Sequence, residues 1–197
     1  MYKKQMTMQR IICLLSLVVG AIVFLYSLGL MTDLYDMLYS MVPYPDDPSS
    51  VKVEGAMIYF DMQQFNHQLL WAGIILILLG CLLFVTNTHS RRKYYIGNYT
   101  ASCLNAAALV GVSVWTHLQV EMYKAQYLGT VDFAALERRL SRQGTYTDST
   151  FWFDIHYLVI ILAIVIAVLL VLNMIWKNRL MTEEQKLLAE GGKVVKQ

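Results

Sequence analysis

Charge is scarce in this 197-residue sequence, where Asp, Glu, Lys and Arg make up only 15% of positions. A soluble domain carries about 25%, so the chain lacks the charge to cover a water-facing surface. Cysteine is equally scarce, and the three present, Cys13, Cys81 and Cys103, lie inside apolar blocks. None falls in a loop where an oxidising compartment could pair it, and no CxxC exists for thiol exchange. That sets aside a quinone-linked thiol oxidoreductase. The three thiols read instead as small, buried packing residues. Nucleotide-binding, nucleophile-elbow and HExxH motifs are missing too, so nothing announces an enzyme. Also missing are the Cys-Cys-Gly of tetraspanins, the Trp and paired-Cys pattern of claudin-like proteins, and the loop cysteines of connexins. A net charge of only +2 gives no reason to expect nucleic acid as a partner.

What the sequence has in abundance is apolar residues, 57% of the chain, gathered into blocks. Four blocks approach the ~20 residues needed to cross a hydrocarbon layer. They predict spans at 11–31, 67–87, 98–118 and 153–176, connected by an outer loop at 32–66, a short loop at 88–97 and a second outer loop at 119–152. The fold class expected is an all-α integral membrane protein, a four-transmembrane-helix bundle with two structured outer loops. The first span follows Lys3, Lys4 and Arg10, as a secretory signal would. Its apolar run of roughly 21 residues exceeds the ~7–15 of a signal core, and no clear cleavage site follows, so it reads as an uncleaved span. The third span carries Thr100, Ser102, Asn105, Ser113 and Thr116. Alone in lipid it would insert poorly, which predicts a central place among the other helices.

Lys and Arg in the connections set the orientation. The 1–10 terminus, the 88–97 loop and the 177–197 tail hold eleven of the sixteen, whereas Lys52, Lys124, Arg138, Arg139 and Arg142 are the five in the two other loops. Both termini are therefore expected in the cytoplasm of a multi-pass cell-membrane protein. The Asn98-Tyr99-Thr100 sequon then lies on the cytoplasmic side and is expected to go unused. Arg91, Arg92 and Lys93 are expected to contact lipid headgroups. In the tail, Thr182 and Gln185 suggest a capping box that opens a short helix stopped by Gly191-Gly192.

Lipid gives helices no hydrophobic reason to associate, so close packing at small residues must hold the bundle. Ser16, Gly20 and Ser27 share a face of the first span, and Gly73 and Gly80 are a heptad apart in the second. Cys103, Ala107 and Gly111 repeat at four-residue spacing in the third, and Ala163 and Ala167 do so in the fourth. On this reading Gly111→Leu should disrupt assembly more than Leu109→Ala. Two intramembrane polar residues stand apart. Asn105 lies roughly 200° around the helix from Cys103, facing another neighbour or a cavity, and Asn173 sits about a turn from Trp176 and Lys177.

The first outer loop is acidic, and its Pro43-Tyr44-Pro45-Asp46-Asp47-Pro48 stretch cannot be helical. Val51 to Tyr59 alternates in part like a short strand. In the second, Thr130 could cap a short amphipathic helix over 131–142 that ends at Gly144, with Phe151, Trp152 and Phe153 as an interfacial anchor. Three of the four histidines map to one membrane level: His67, His117 and His156, with Glu121 a turn after His117. Three imidazoles and a carboxylate would suit a transition metal at the outer face. Equally, histidine suits a membrane interface, and residues on three helices can share a depth without converging. No cofactor is otherwise implied.

Three functions fit. The first is a non-catalytic accessory, scaffolding or immunity-type subunit, bound to the bilayer and to other membrane subunits or to copies of itself. The second is a channel or transporter component with the third span lining the path. Against it, no span carries an ionisable residue near mid-membrane. The third is a metal- or haem-dependent membrane redox protein using the outer histidines.

Overall fold

The computed structural model describes residues 2–39, 58–88, 95–135 and 150–194. They form four long helices: α1 (Tyr2–Tyr39), α2 (Ile58–Thr88), α3 (Tyr95–Thr130) and α4 (Phe151–Val194). All four are long and apolar enough to cross a membrane, the make-up of a multi-pass membrane protein. α1 packs most extensively on α2, α3 on α4, and the ring closes through α2–α3 and α1–α4 contacts. The chain therefore runs up and down around one core. Its two ends differ: the terminus end holds the starts of α1 and α3, and the long-loop end their finishes.

Each helix outruns the apolar block that nucleates it. α1 continues past 31 to Tyr39, and α2 begins at Ile58. Residues 51–57 of the strand-like stretch, with Pro43 to Pro48, lie outside the described residues, and Ile58 and Tyr59 are helical. α3 continues twelve residues beyond 118 to Thr130. There the Thr130 hydroxyl donates back to the Gln126 carbonyl (2.7 Å), while the Asp132 carboxylate accepts from the Ala135 amide (3.0 Å). The cap is therefore Asp132, because Thr130 is still inside the preceding helix. Residues 133–135 are helical, and the rest of the 131–142 element lies outside the described residues. α4 is a single 44-residue helix through Gly191 and Gly192. Thr182 donates to the Asn178 carbonyl (3.0 Å) and starts nothing new. Lys, Leu, Glu, Gln and Ala sustain a helix once formed, since each further residue adds a bond without a new nucleation cost.

The buried positions step by seven in every helix. Gln9, Ser16, Val23 and Leu30 line α1, and Met62, Leu69, Leu76 and Leu83 line α2. Ala106, Ser113, Val120 and Tyr127 line α3, and His156, Ala163, Leu170 and Lys177 line α4. A 3.5-residue core period is that of a left-handed supercoiled bundle.

Glycine sets the closest contact. A methyl group at Gly73 would meet the backbone N of Phe24 at 2.7 Å, and one at Gly20 the backbone N of Ile77 at 3.0 Å. At Gly80 it would meet Leu17 Cδ2 at 2.8 Å. The α1–α2 seam thus brings backbone against backbone at Gly20 and Gly73, and against the Leu17 side chain at Gly80, with no room for Cβ. Ala163 and Ala167 are buried in α4. The third small-residue stripe is placed differently from the expectation. Cys103, Ala107 and Gly111 are exposed, although the Cys103 thiol also reaches Met174 Sδ of α4 (3.6 Å), and a Cβ on Gly111 would meet nothing within 4 Å among the described residues. The reason is the 200° offset: α3 turns Asn105 inward, and the small stripe must then face out.

Gly73→Ala is expected to lower stability by about 1–3 kcal/mol, the usual cost of overpacking a filled contact. Gly111→Ala should be neutral or slightly stabilising. Thermal unfolding of the two variants in detergent checks the contrast.

Candidate functional site: two buried polar tiers

An apolar surrounding leaves a polar side chain no solvent to fall back on, so it must find a partner within the bundle. The buried polar residues gather at the two ends of every helix. Toward the terminus end lie Gln5, Gln9 and Ser16 of α1, Asn87 of α2, Asn98, Ser102 and Asn105 of α3, and Asn173 and Lys177 of α4. Toward the long-loop end lie Ser27, Asn66, Ser113, Thr116 and His156. Between them the buried side chains are apolar on all four helices: Val19 and Val23, Leu69 to Leu83, Ala106 and Leu109, and Val159 to Leu170.

The tier at the terminus end is a connected network. Asn98 is its junction: Oδ1 accepts from Gln9 Nε2 and from Lys177 Nζ (2.8 Å), and Nδ2 donates to Thr86 Oγ1 (3.4 Å). Gln5 Nε2 donates to Gln9 Oε1 (3.0 Å) and to Asn173 Oδ1 (3.1 Å). One turn further in, Ser16 donates to Asn105 Oδ1 (3.0 Å). The Gln9–Asn98 and Ser16–Asn105 bonds both join residues 89 apart in sequence. They are successive heptad rungs between α1 and α3, parallel helices on the diagonal of the ring. Lys177 is only 4% exposed, so its ammonium turns into the bundle and not out to the interface.

The tier at the long-loop end is aromatic. Tyr26 OH and His156 Nδ1 are 3.1 Å apart with their rings edge-to-face, and Phe65 lies beside His156, Trp115 and Tyr123. Tyr123 OH donates to the Asp61 carbonyl (3.2 Å). On the outer surface of the α3–α4 pair, Lys124 donates to Asp154 (2.6 Å), Thr150 donates to the same carboxylate (2.7 Å), and Tyr157 OH donates to Glu121.

Of the residues singled out as metal candidates, His117 and Glu121 both stand against Tyr157, while His67 and His156 lie elsewhere. His67 and His117 are exposed, His156 is buried against Tyr26, and Glu121 receives Tyr157. Among the described residues, no three His, Cys, Asp or Glu side chains stand close enough to share a metal ion. Cys13 is buried, whereas Cys81 and Cys103 are exposed, contrary to their reading as core residues. Asn105 and Asn173 both lie inside the network. Arg91, Arg92 and Lys93 fall outside the described residues. The sequon asparagine, Asn98, has its carboxamide buried and fully engaged.

Gln5, Gln9, Asn98 and Lys177 went unremarked as core residues because they flank the apolar blocks. The available signal was period: Gln9 and Ser16, like Asn98 and Asn105, are polar residues one heptad apart. Comparisons with protein-family models, curated proteins and solved structures return no match.

Asn98→Ala strips Lys177 and Gln9 of a shared acceptor and should cost about 2 kcal/mol, as for a bond to a charged group. Ser16→Ala should cost only about 0.6 kcal/mol, typical of an interhelical bond in a membrane bundle. Adding Lys177→Met to Asn98→Ala should restore part of the loss, because no charge then remains buried. Unfolding midpoints of the three variants in one detergent test the order.

Proposed function

We propose that the chain is a non-catalytic membrane subunit that scaffolds or accompanies a larger complex by lateral helix packing. The observation that carries this reading is the outward stripe of Cys103, Ala107 and Gly111 on α3. Three glycines in the middle of α1 and α2, Gly20, Gly73 and Gly80, sit where two helices nearly touch, whereas Gly29, Gly97 and Gly129, nearer helix ends, have open space beside them. Gly111 has the same smallness and, within the chain, nothing beside it within 4 Å. Small residues let backbones approach, and in lipid that close approach is what drives helices together. Val110, Val114 and Leu118 beside the stripe are exposed and apolar, suited to lipid or to another helix.

The apolar belt between the polar tiers supports the same reading, since its buried side chains on all four helices are apolar. The partners are the bilayer and either other membrane subunits or a second copy. The excess of Lys and Arg at 1–10, 88–97 and 177–197 puts the termini in the cytoplasm of a cell membrane.

Protein extracted from its own membrane in mild detergent should migrate well above its 22.6 kDa single-chain mass. Gly111→Leu and Ala107→Leu should release the single chain while leaving its unfolding midpoint near the wild-type value. Leu109→Ala should do the reverse, lowering stability by about 2–5 kcal/mol through the cavity it opens and with it the midpoint, with assembly intact. A wild-type protein that emerges as a lone monomer sinks the proposal.

A further inference from the structure

Both polar tiers contain buried atoms that no hydrogen-bonding group among the described residues reaches. Toward the long-loop end these are Nδ2 and Oδ1 of Asn66 and Oγ1 of Thr116; toward the terminus end they are Oε1 of Gln5 and Nδ2 of Asn87 and Asn105. All five residues are at least 97% buried. The set mixes donors with acceptors in each tier: Asn66 offers one of each, and Gln5 Oε1 stands with two amide donors. An ion of a single sign would suit half of these atoms and repel the others. A small molecule that both donates and accepts suits all of them, and that molecule is water.

We infer that each tier binds water entering from its own end of the bundle, and that the apolar belt between the tiers is the seal. On α2 the belt is long, running from Asn66 to Asn87 through Leu69, Leu76 and Leu83. On α3 it is short. Between Asn105 and Ser113 the buried side chains are Ala106 and Leu109, a rise of about 12 Å along the axis. Leu109, fully buried, is the one large side chain α3 contributes there. A narrow apolar constriction excludes water by dewetting, and one polar substitution at its thinnest point can admit a continuous file. Leu109 is therefore the sealing residue. Its role is separate from association through Gly111, which lies on the opposite face of the same helix.

Two measurements test the inference. X-ray radiolysis of the wild-type protein in oxygen-18 water generates hydroxyl radicals beside bound water, and mass spectrometry locates the label. Label should appear on the buried Phe65 and the half-buried Trp115 in one tier and on Cys13 in the other, while Val23, Leu76 and Leu109 stay blank. Labelled belt residues, or two blank tiers, overturn the assignment. Phospholipid vesicles containing wild-type protein and a trapped pH dye should hold an imposed proton gradient. Leu109→Ser, eluting like the wild type, should collapse it several-fold faster. If the serine variant does not fold, Leu109→Thr, closer in volume, takes its place. A folded variant as tight as the wild type overturns the sealing role, and leaky wild-type vesicles do so as well. Neither measurement depends on oligomeric state, so the inference and the scaffolding reading can fail separately.

Discussion

One carboxamide ties the four helices together. Asn98 of α3 accepts from Gln9 of α1 and Lys177 of α4, and it donates to Thr86 of α2. In an apolar surrounding a carboxamide without partners costs several kcal/mol, so a neighbour that shifts away from Asn98 gives up a bond that is costly to lose. That constraint fixes the register of α1 against α3. The Ser16–Asn105 bond, one heptad on, repeats it. With α1 held there, Gly20 lies against Ile77 and Phe24 against Gly73, and the α1–α2 seam closes. The glycine contact supplies closeness, and the polar rungs supply the alignment that makes closeness possible.

This division of labour follows from the solvent. Interhelical hydrogen bonds in lipid contribute only about 0.6 kcal/mol each on average, because the separated helices also find polar partners. The stability of the bundle therefore comes mainly from close packing along the belt and the glycine seam. The polar tiers act more on specificity: a slipped helix would bury the same amides without partners. Lys177 sharpens the penalty, since its ammonium would be carried away from Asn98 along with the helix.

The class of the protein was legible from composition, because four apolar blocks with little charge become four helices long and apolar enough to cross a membrane. Helix ends were less so. Hydropathy marks where lipid could be, and helix propensity marks where the helix stops, and in α3 and α4 the two differ by a dozen residues or more. The interior of α3 was misjudged for a clearer reason. Two stripes compete on that helix, small residues at Cys103, Ala107 and Gly111 and polar residues at Asn98, Ser102, Asn105, Ser113 and Thr116. The polar stripe takes the core, because a buried methyl gap costs less than an amide left facing hydrocarbon. The histidines show a related limit. Depth along the membrane can be read from sequence, whereas direction around a helix needs a period, and isolated residues such as His67 and His117 have none.

The inward choice of α3 decides what its outer face can be. A helix that spends its polar residues on the core must be apolar on the side that meets lipid, and Leu104, Val110, Val114 and Leu118 provide that. It need not also be small there. Bulky side chains would hold α3 in lipid better than Ala107 and Gly111 do, since each buried methylene contributes about 0.8 kcal/mol, and glycine weakens a helix interior by about 0.5–1 kcal/mol relative to alanine. A lone subunit gains nothing from carrying both penalties at the centre of its least apolar span. A subunit that meets another helix there gains close contact, and the packed apolar belt behind the stripe gives that contact a rigid backing.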